Sequence, residues 1–124
     1  VAKLSLRYLK GTPSSSLTFT GGHISENPMP NYTIFTTYAA GLIGMVRNLA
    51  LDMAPRRVNL VSVGSTITEM WGPNREQIAE VVGKINLLGK VARPEEVAEA
   101  FTYLMKDWNA TGSVVSSNGG SLLQ

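Results

Sequence analysis

Residues 31–64, NYTIFTTYAAGLIGMVRNLALDMAPRRVNLVSVG, constrain the fold of this chain more than any other stretch. Apolar side chains recur there at Phe35, Tyr38, Leu42, Met45, Val46, Leu49 and Met53. Steps of three and four are the signature of one buried face on an α-helix, here predicted over 32–54. Pro55 ends it, because a proline disfavours helical geometry in the residue before it. After Arg56 and Arg57 the period changes. Val58-Asn59-Leu60-Val61-Ser62-Val63 is short, apolar and β-branched, is closed by Gly64, and reads as a buried strand. Helix, tight turn and buried strand make one αβ unit of a parallel sheet.

The rest of the chain repeats that alternation. Leu4, Leu6, Tyr8 and Leu9 among basic neighbours suggest the last turns of a helix within 1–10 whose beginning is missing. Leu17-Thr18-Phe19-Thr20 reads as a short strand stopped by Gly21-Gly22, and 23–31 as a loop with two prolines. Residues 64–73 form a loop, and Asn74 is expected to cap a helix from Arg75 to Val82. Pro94-Glu95-Glu96 opens a further helix, proline suiting the first helical position and early glutamates the helix dipole. Val97, Phe101, Leu104 and Met105 are its expected core stripe. Val114-Val115-Ser116 is the last strand. The expectation is α/β: three parallel strands with flanking helices.

A chain of 124 residues buries one modest core. With no cysteine, disulfides and thiolate metal sites are excluded, which fits a reducing, cytoplasmic setting. No apolar run is expected to be long enough to span a bilayer and no signal peptide is evident, so no membrane is expected. The net charge of +2 is scattered, and Arg56-Arg57 is only a pair at a helix end, so no nucleic-acid partner is expected. No ligand spacing points to a metal.

LALDMAPRRVNLVSVG resembles the helix and strand that follow the active-site tyrosine in short-chain dehydrogenases/reductases, where Arg-Val-Asn-x-Val-x-Pro-Gly is usual. Leu88-Gly89-Lys90, Pro94 to Ala98, Thr111-Gly112 and Asn118-Gly119-Gly120 continue the likeness to the C-terminus. It implies the C-terminal half of a Rossmann-type three-layer fold: 1–124 as a single partial domain, without the dinucleotide-binding half. The glycine-rich phosphate turn is not on this chain. Gly41 and Gly44 lie within a helix and read as close helix packing. NADP or NAD is therefore expected only with the N-terminal half present, and none with this chain alone.

The family's reduction uses a tyrosine acid, a lysine four residues on and a serine. Aligned on Ala39-Ala40, the tyrosine position is Ile34 and the lysine position Tyr38. Four residues after Tyr8, Tyr32, Tyr38 and Tyr103 stand Thr12, Thr36, Leu42 and Asp107, never lysine. The serine position falls on Gly21 or Gly22. Standard carbonyl-reductase chemistry is therefore expected to be absent. Pro28-Met29-Pro30-Asn31-Tyr32 resembles the Pro-Asp-Pro-Gly-Trp motif of the fungal bifunctional reductase/Diels–Alderases of indole alkaloid biosynthesis, with Met29 in place of the aspartate.

The likeness implies a cofactor edge of Thr20, Gly21, Val63, Gly64 and Thr68, and a pocket of Gly22, Met29, Tyr32, Met70 and Trp71 for a hydrophobic natural-product intermediate. Trp71 either stacks on a flat substrate or anchors the lid. His23 and Tyr38 are the candidate acids; His23 follows a strand's C-terminal end, where open α/β sheets bind ligands. The alternative is a binding or dimerisation module without chemistry. Strand 17–20 would be covered by a second copy or by the N-terminal half, and the family's dimer helix implies a homodimer through 32–54.

Overall fold

The computed structural model describes residues 1–123. In chain order the elements are α1 (Ala2–Ser5), β1 (Ser16–Gly22), α2 (Thr33–Asp52), β2 (Arg57–Val63), α3 (Arg75–Gly83), α4 (Pro94–Lys106) and β3 (Val114–Ser117). The strands form one parallel sheet in the order β1-β2-β3. The α/β expectation holds, with helices on both faces. Side chains alternate across a strand. Leu17, Phe19, Val58 and Leu60 meet Leu42 and Val46 of α2, and Met53 just after it, on one face. Thr20 and Val63 share the other face with Val97 and Phe101 of α4. Arg57 to Ser62 are all buried, as a central strand covered on both faces should be.

Four details differ from expectation. β1 does not stop at Gly21-Gly22: these residues pair with Ser62 and Val63. A Cβ on Gly21 would lie 3.1 Å from Leu60 Cδ2, so glycine there lets Leu60 lie across the neighbouring strand. On α2, Phe35, Tyr38 and Met45 are exposed, while Ala39, Leu42 and Val46, with Met53 at the helix end, are buried. Two strands cover only part of its wide apolar arc. Gly41 and Gly44 have nothing within 4 Å of an added Cβ, so within the chain they are not packing points. On α4, Val97 and Leu104 are buried but Met105, turned about 100° from Leu104, is exposed.

Against the expectation that no apolar run is long enough, α2 has 20 residues with an 18-residue window of mean hydropathy 1.3, enough by length and composition alone to cross a bilayer. Its Leu42 and Val46 instead pack on β1 and β2. Asn74 does precede α3, but its side chain makes no capping bond. α1 is one short turn, continued by Leu9 N–H donating to Ser5 O.

Arg56-Arg57 is more than a surface pair. Arg57 is 2% exposed and donates from Nε to Pro13 O (2.7 Å), from Nη1 to Leu104 O (2.6 Å) and Asp107 O (2.8 Å), and from Nη2 to Met105 O (3.1 Å). The last turn of a helix leaves carbonyls without intrahelical partners, and this guanidinium takes up those of α4. Arg56 Nε donates to Leu9 O, tying the N-terminal segment to the same turn. Asn59, fully buried, donates to Ala110 O and accepts from Ser113 N–H, holding the α4–β3 loop against β2.

Candidate functional site

At the C-terminal ends of β1 and β2 the chain leaves a cavity of about 630 Å³. That size lies within the range of small-molecule sites, and carboxyl ends of parallel strands are where open α/β sheets bind ligands. Its floor is Thr20, Val63 and Gly64. One wall is the segment after β2, Ser65, Thr66 and Thr68, leading to Met70 and Trp71 in a 3-10 turn. The other wall is the start of α4: Pro94, Val97, Ala98 and Phe101. His23 completes the lining.

Two local devices hold the walls. The segment after β2 pairs with the one before α4: Ala92 N–H donates to Ser65 O and Ile67 N–H to Ala92 O. Gly64 sits hard against the turn after β3, where a Cβ would lie 2.5 Å from Asn118 Cα. α4 itself begins with half of a capping box, Arg93 N–H donating to the Glu96 carboxylate (2.8 Å). Glu96 also bonds Lys90, and that contact, with the Arg93 N–H, holds its carboxyl below the usual range.

Of the residues expected at a site, Thr20, His23, Val63, Gly64, Thr68, Met70 and Trp71 line this one cavity. Gly21 and Gly22 form the end of β1 just before His23. Met29, Tyr32 and Tyr38 are exposed and do not line it, and Ile34 is 81% exposed. Tyr32 instead stacks at a tilt on Phe35, with ring centroids 5.6 Å apart. Ser65, Thr66, Pro94, Val97, Ala98 and Phe101 were not foreseen as lining. The i, i+4 spacing of Val97 and Phe101 marked a buried stripe, not a ligand wall.

His23 is the cavity's titratable side chain. Its Nδ1 lies 2.7 Å from Ser121 Oγ, a residue distant in sequence and buried. Burial holds the imidazole pKa below its ordinary value, with the Glu26 charge opposing, so the ring is neutral near pH 7. Thr68 and Thr20 hydroxyls have no protein partner among the described residues, leaving both open to a ligand. A second cavity of about 370 Å³ lies between α3 and α4, where Glu76, Glu80 and Glu96 face Lys90 and Arg93. Among the described residues no cluster of three or more His, Asp or Glu side chains gathers as a metal site would.

The fold that carries this cavity is shared with known proteins. The model of the SDR-like Rossmann domain matches residues 1–124. The short-chain dehydrogenase/reductase ATR9 of Stachybotrys chlorohalonatus is 46% identical over 127 residues, covering 100% of this chain and 50% of that protein. The solved MalC reductase/Diels–Alderase from Malbranchea aurantiaca is 41% identical at a TM-score of 0.91, covering 100% of this chain and 49% of that one. A small-chain dehydrogenase solved in complex with NADPH is 30% identical, also at a TM-score of 0.91, covering 99% of this chain and 57% of that one. The chain thus spans about half the length of the curated relatives it matches. On its full-length match and its three-stranded parallel sheet, the chain belongs to the short-chain dehydrogenase/reductase family, and corresponds to the C-terminal half of its Rossmann-type fold.

Proposed function

We propose that the chain is the C-terminal half of an atypical short-chain-dehydrogenase-like enzyme. Its pocket takes a hydrophobic natural-product intermediate for reductive or cyclising chemistry of reductase/Diels–Alderase type. The observation that carries this is the strand-end cavity that draws together Thr20, His23, Val63, Gly64, Thr68, Met70 and Trp71. The likeness to a reductase/Diels–Alderase supports the reaction class.

NADP or NAD belongs to this reading when the N-terminal half is present, and the residues here fit its nicotinamide end. Two unpartnered hydroxyls, Thr20 and Thr68, border an apolar space beside Val63 and Gly64. When bound, a reduced nicotinamide supplies hydride. The chain's own contributions are these hydroxyls, the imidazole, and the apolar walls of Trp71, Met70, Val97 and Phe101. With Ile34 and Tyr38 at the family's tyrosine and lysine positions, the usual phenol–ammonium acid has no counterpart.

The deciding experiment is an NADPH fluorescence titration of this chain assembled with its N-terminal half. Saturable binding is expected; no binding would favour the non-catalytic module. Within that assay Thr68→Val should weaken NADPH by about three- to tenfold, the worth of one neutral hydrogen bond of about 0.5–1.5 kcal/mol. An unchanged affinity would remove Thr68 from the cofactor edge.

The companion proposal is a homodimer through α2, whose Ile34, Tyr38 and Met45 are exposed. Gly41 and Gly44 have open space above them. Alanine at both should therefore stabilise each chain, by about 0.5–1 kcal/mol per site through helix propensity. It should also weaken the dimer, because added methyls keep two helices apart. Sedimentation equilibrium reads the second effect, and association unchanged by the double alanine variant would place the interface elsewhere.

A further inference from the structure

We propose that Ser121 locks His23 in its Nε2–H tautomer, so that a neutral imidazole offers one hydrogen-bond donor to a carbonyl oxygen in the strand-end cavity. The donor role rests on that cavity being the ligand site; the tautomer does not.

The argument begins at Ser121, which is 8% exposed. Its N–H donates to Asn118 O (3.2 Å) and its carbonyl accepts from Asn27 Nδ2 (3.3 Å), so the residue is fixed by its own turn and by one distant segment. Its Oγ has one partner among the described residues, His23 Nδ1 at 2.7 Å. Two proton arrangements satisfy that distance. If Nδ1–H donated, the serine proton would be left without an acceptor in a buried place, at a cost of about 1–3 kcal/mol. If Ser121 Oγ–H donates, both groups are satisfied. The ring proton then sits on Nε2, which has no protein partner among the described residues, on a side chain that lines the cavity.

Burial keeps this ring uncharged near neutrality, against the opposing charge of Glu26. A neutral N–H polarises a carbonyl without first having to lose a full charge, the use to which buried neutral histidines at active sites are put. Ser121 is not a nucleophile here. It does not line the cavity, it meets Nδ1, and no carboxylate among the described residues bonds the ring. It is a positioning residue that acts through His23. The carbonyl it serves comes from one of two sources, the substrate or the cofactor's carboxamide.

His23 is the chain's only histidine, so the test is direct. This chain, labelled with 15N-histidine and assembled with an unlabelled N-terminal half, gives one imidazole spectrum. At neutral pH it should show a protonated Nε2 and an unprotonated, hydrogen-bonded Nδ1. Ser121→Thr should keep that pattern. Ser121→Ala should lose it to tautomer averaging. A wild-type Nδ1–H tautomer, or a spectrum indifferent to Ser121→Ala, overturns the lock. Should the alanine variant not fold, the wild-type and threonine spectra decide.

Adding NADP⁺ alone and then cyclohexanone separates the two carbonyl sources. An Nε2–H shift with NADP⁺ assigns the carboxamide, and one that needs the ketone assigns the substrate. No shift in either, while NADP⁺ binds by fluorescence, overturns the donor role. If NADP⁺ does not bind at all, it is the cofactor reading that fails, and the tautomer result stands apart from it.

Discussion

Arg57→Met is expected to cost the fold about 3–5 kcal/mol. Methionine keeps the apolar stem and much of the volume but removes every donor. Pro13 O, Leu104 O, Met105 O and Asp107 O then lose their contacts with a guanidinium that is 2% exposed. A buried polar group left unmet costs about 1–3 kcal/mol, and neighbouring losses do not simply add. Arg57→Lys should recover only part of the loss. One ammonium is a point donor and cannot span a planar fan of four carbonyls from two segments. Urea denaturation of the wild type and both variants reads the effect as a fall in midpoint at constant slope. A loss under about 1 kcal/mol for methionine would mean that water replaces the guanidinium, and that this arginine does not hold α4 to the start of β1.

The second large effect is expected at Gly64→Ala, at about 3 kcal/mol or somewhat more. Overpacking a well-filled site costs about 1–3 kcal/mol when side chains can yield. Here the added Cβ would lie 2.5 Å from Asn118 Cα and 3.1 Å from its carbonyl carbon, so backbone must move. Two neighbours limit that movement. Gly64 N–H donates to Ser117 O at the end of β3, and Asn118 Oδ1 accepts from Gly120 N–H in the following turn. Displacing that turn also carries Ser121 away from His23. The variant should therefore lose both stability and ligand binding, seen as a lower urea midpoint together with a weakened NADPH titration. Normal binding on a merely destabilised protein would show that the turn after β3 and the cavity are independent.

These two positions show where reading the sequence succeeds and where it stops. The alternation of periods along 31–64 determined the α2–β2 unit, because a buried helix face and a buried strand require different spacings of apolar side chains. The strand-end location of the site followed from the same topology, and Thr20, Val63, Gly64 and Thr68 were placed by likeness to the family. Gly21 and Gly22 were legible as special but misread. Glycine commonly ends a strand, and only the register with β2 shows that Gly21 makes room for Leu60.

What the tertiary structure alone decided is which groups meet across long separations. The sequence determined a wide apolar arc on α2; the sheet beneath it decided that Leu42 and Val46 are core while Tyr38 and Met45 stay outside. Nothing local distinguishes Arg57 from Arg56, or marks a serine near the C-terminus as a partner for the lone histidine. Periodicity reports the direction a side chain takes from its own element. Hydrogen bonds such as Arg57 to Leu104 and His23 to Ser121 depend on where a distant segment comes to rest, and that is set by the packing of the whole sheet.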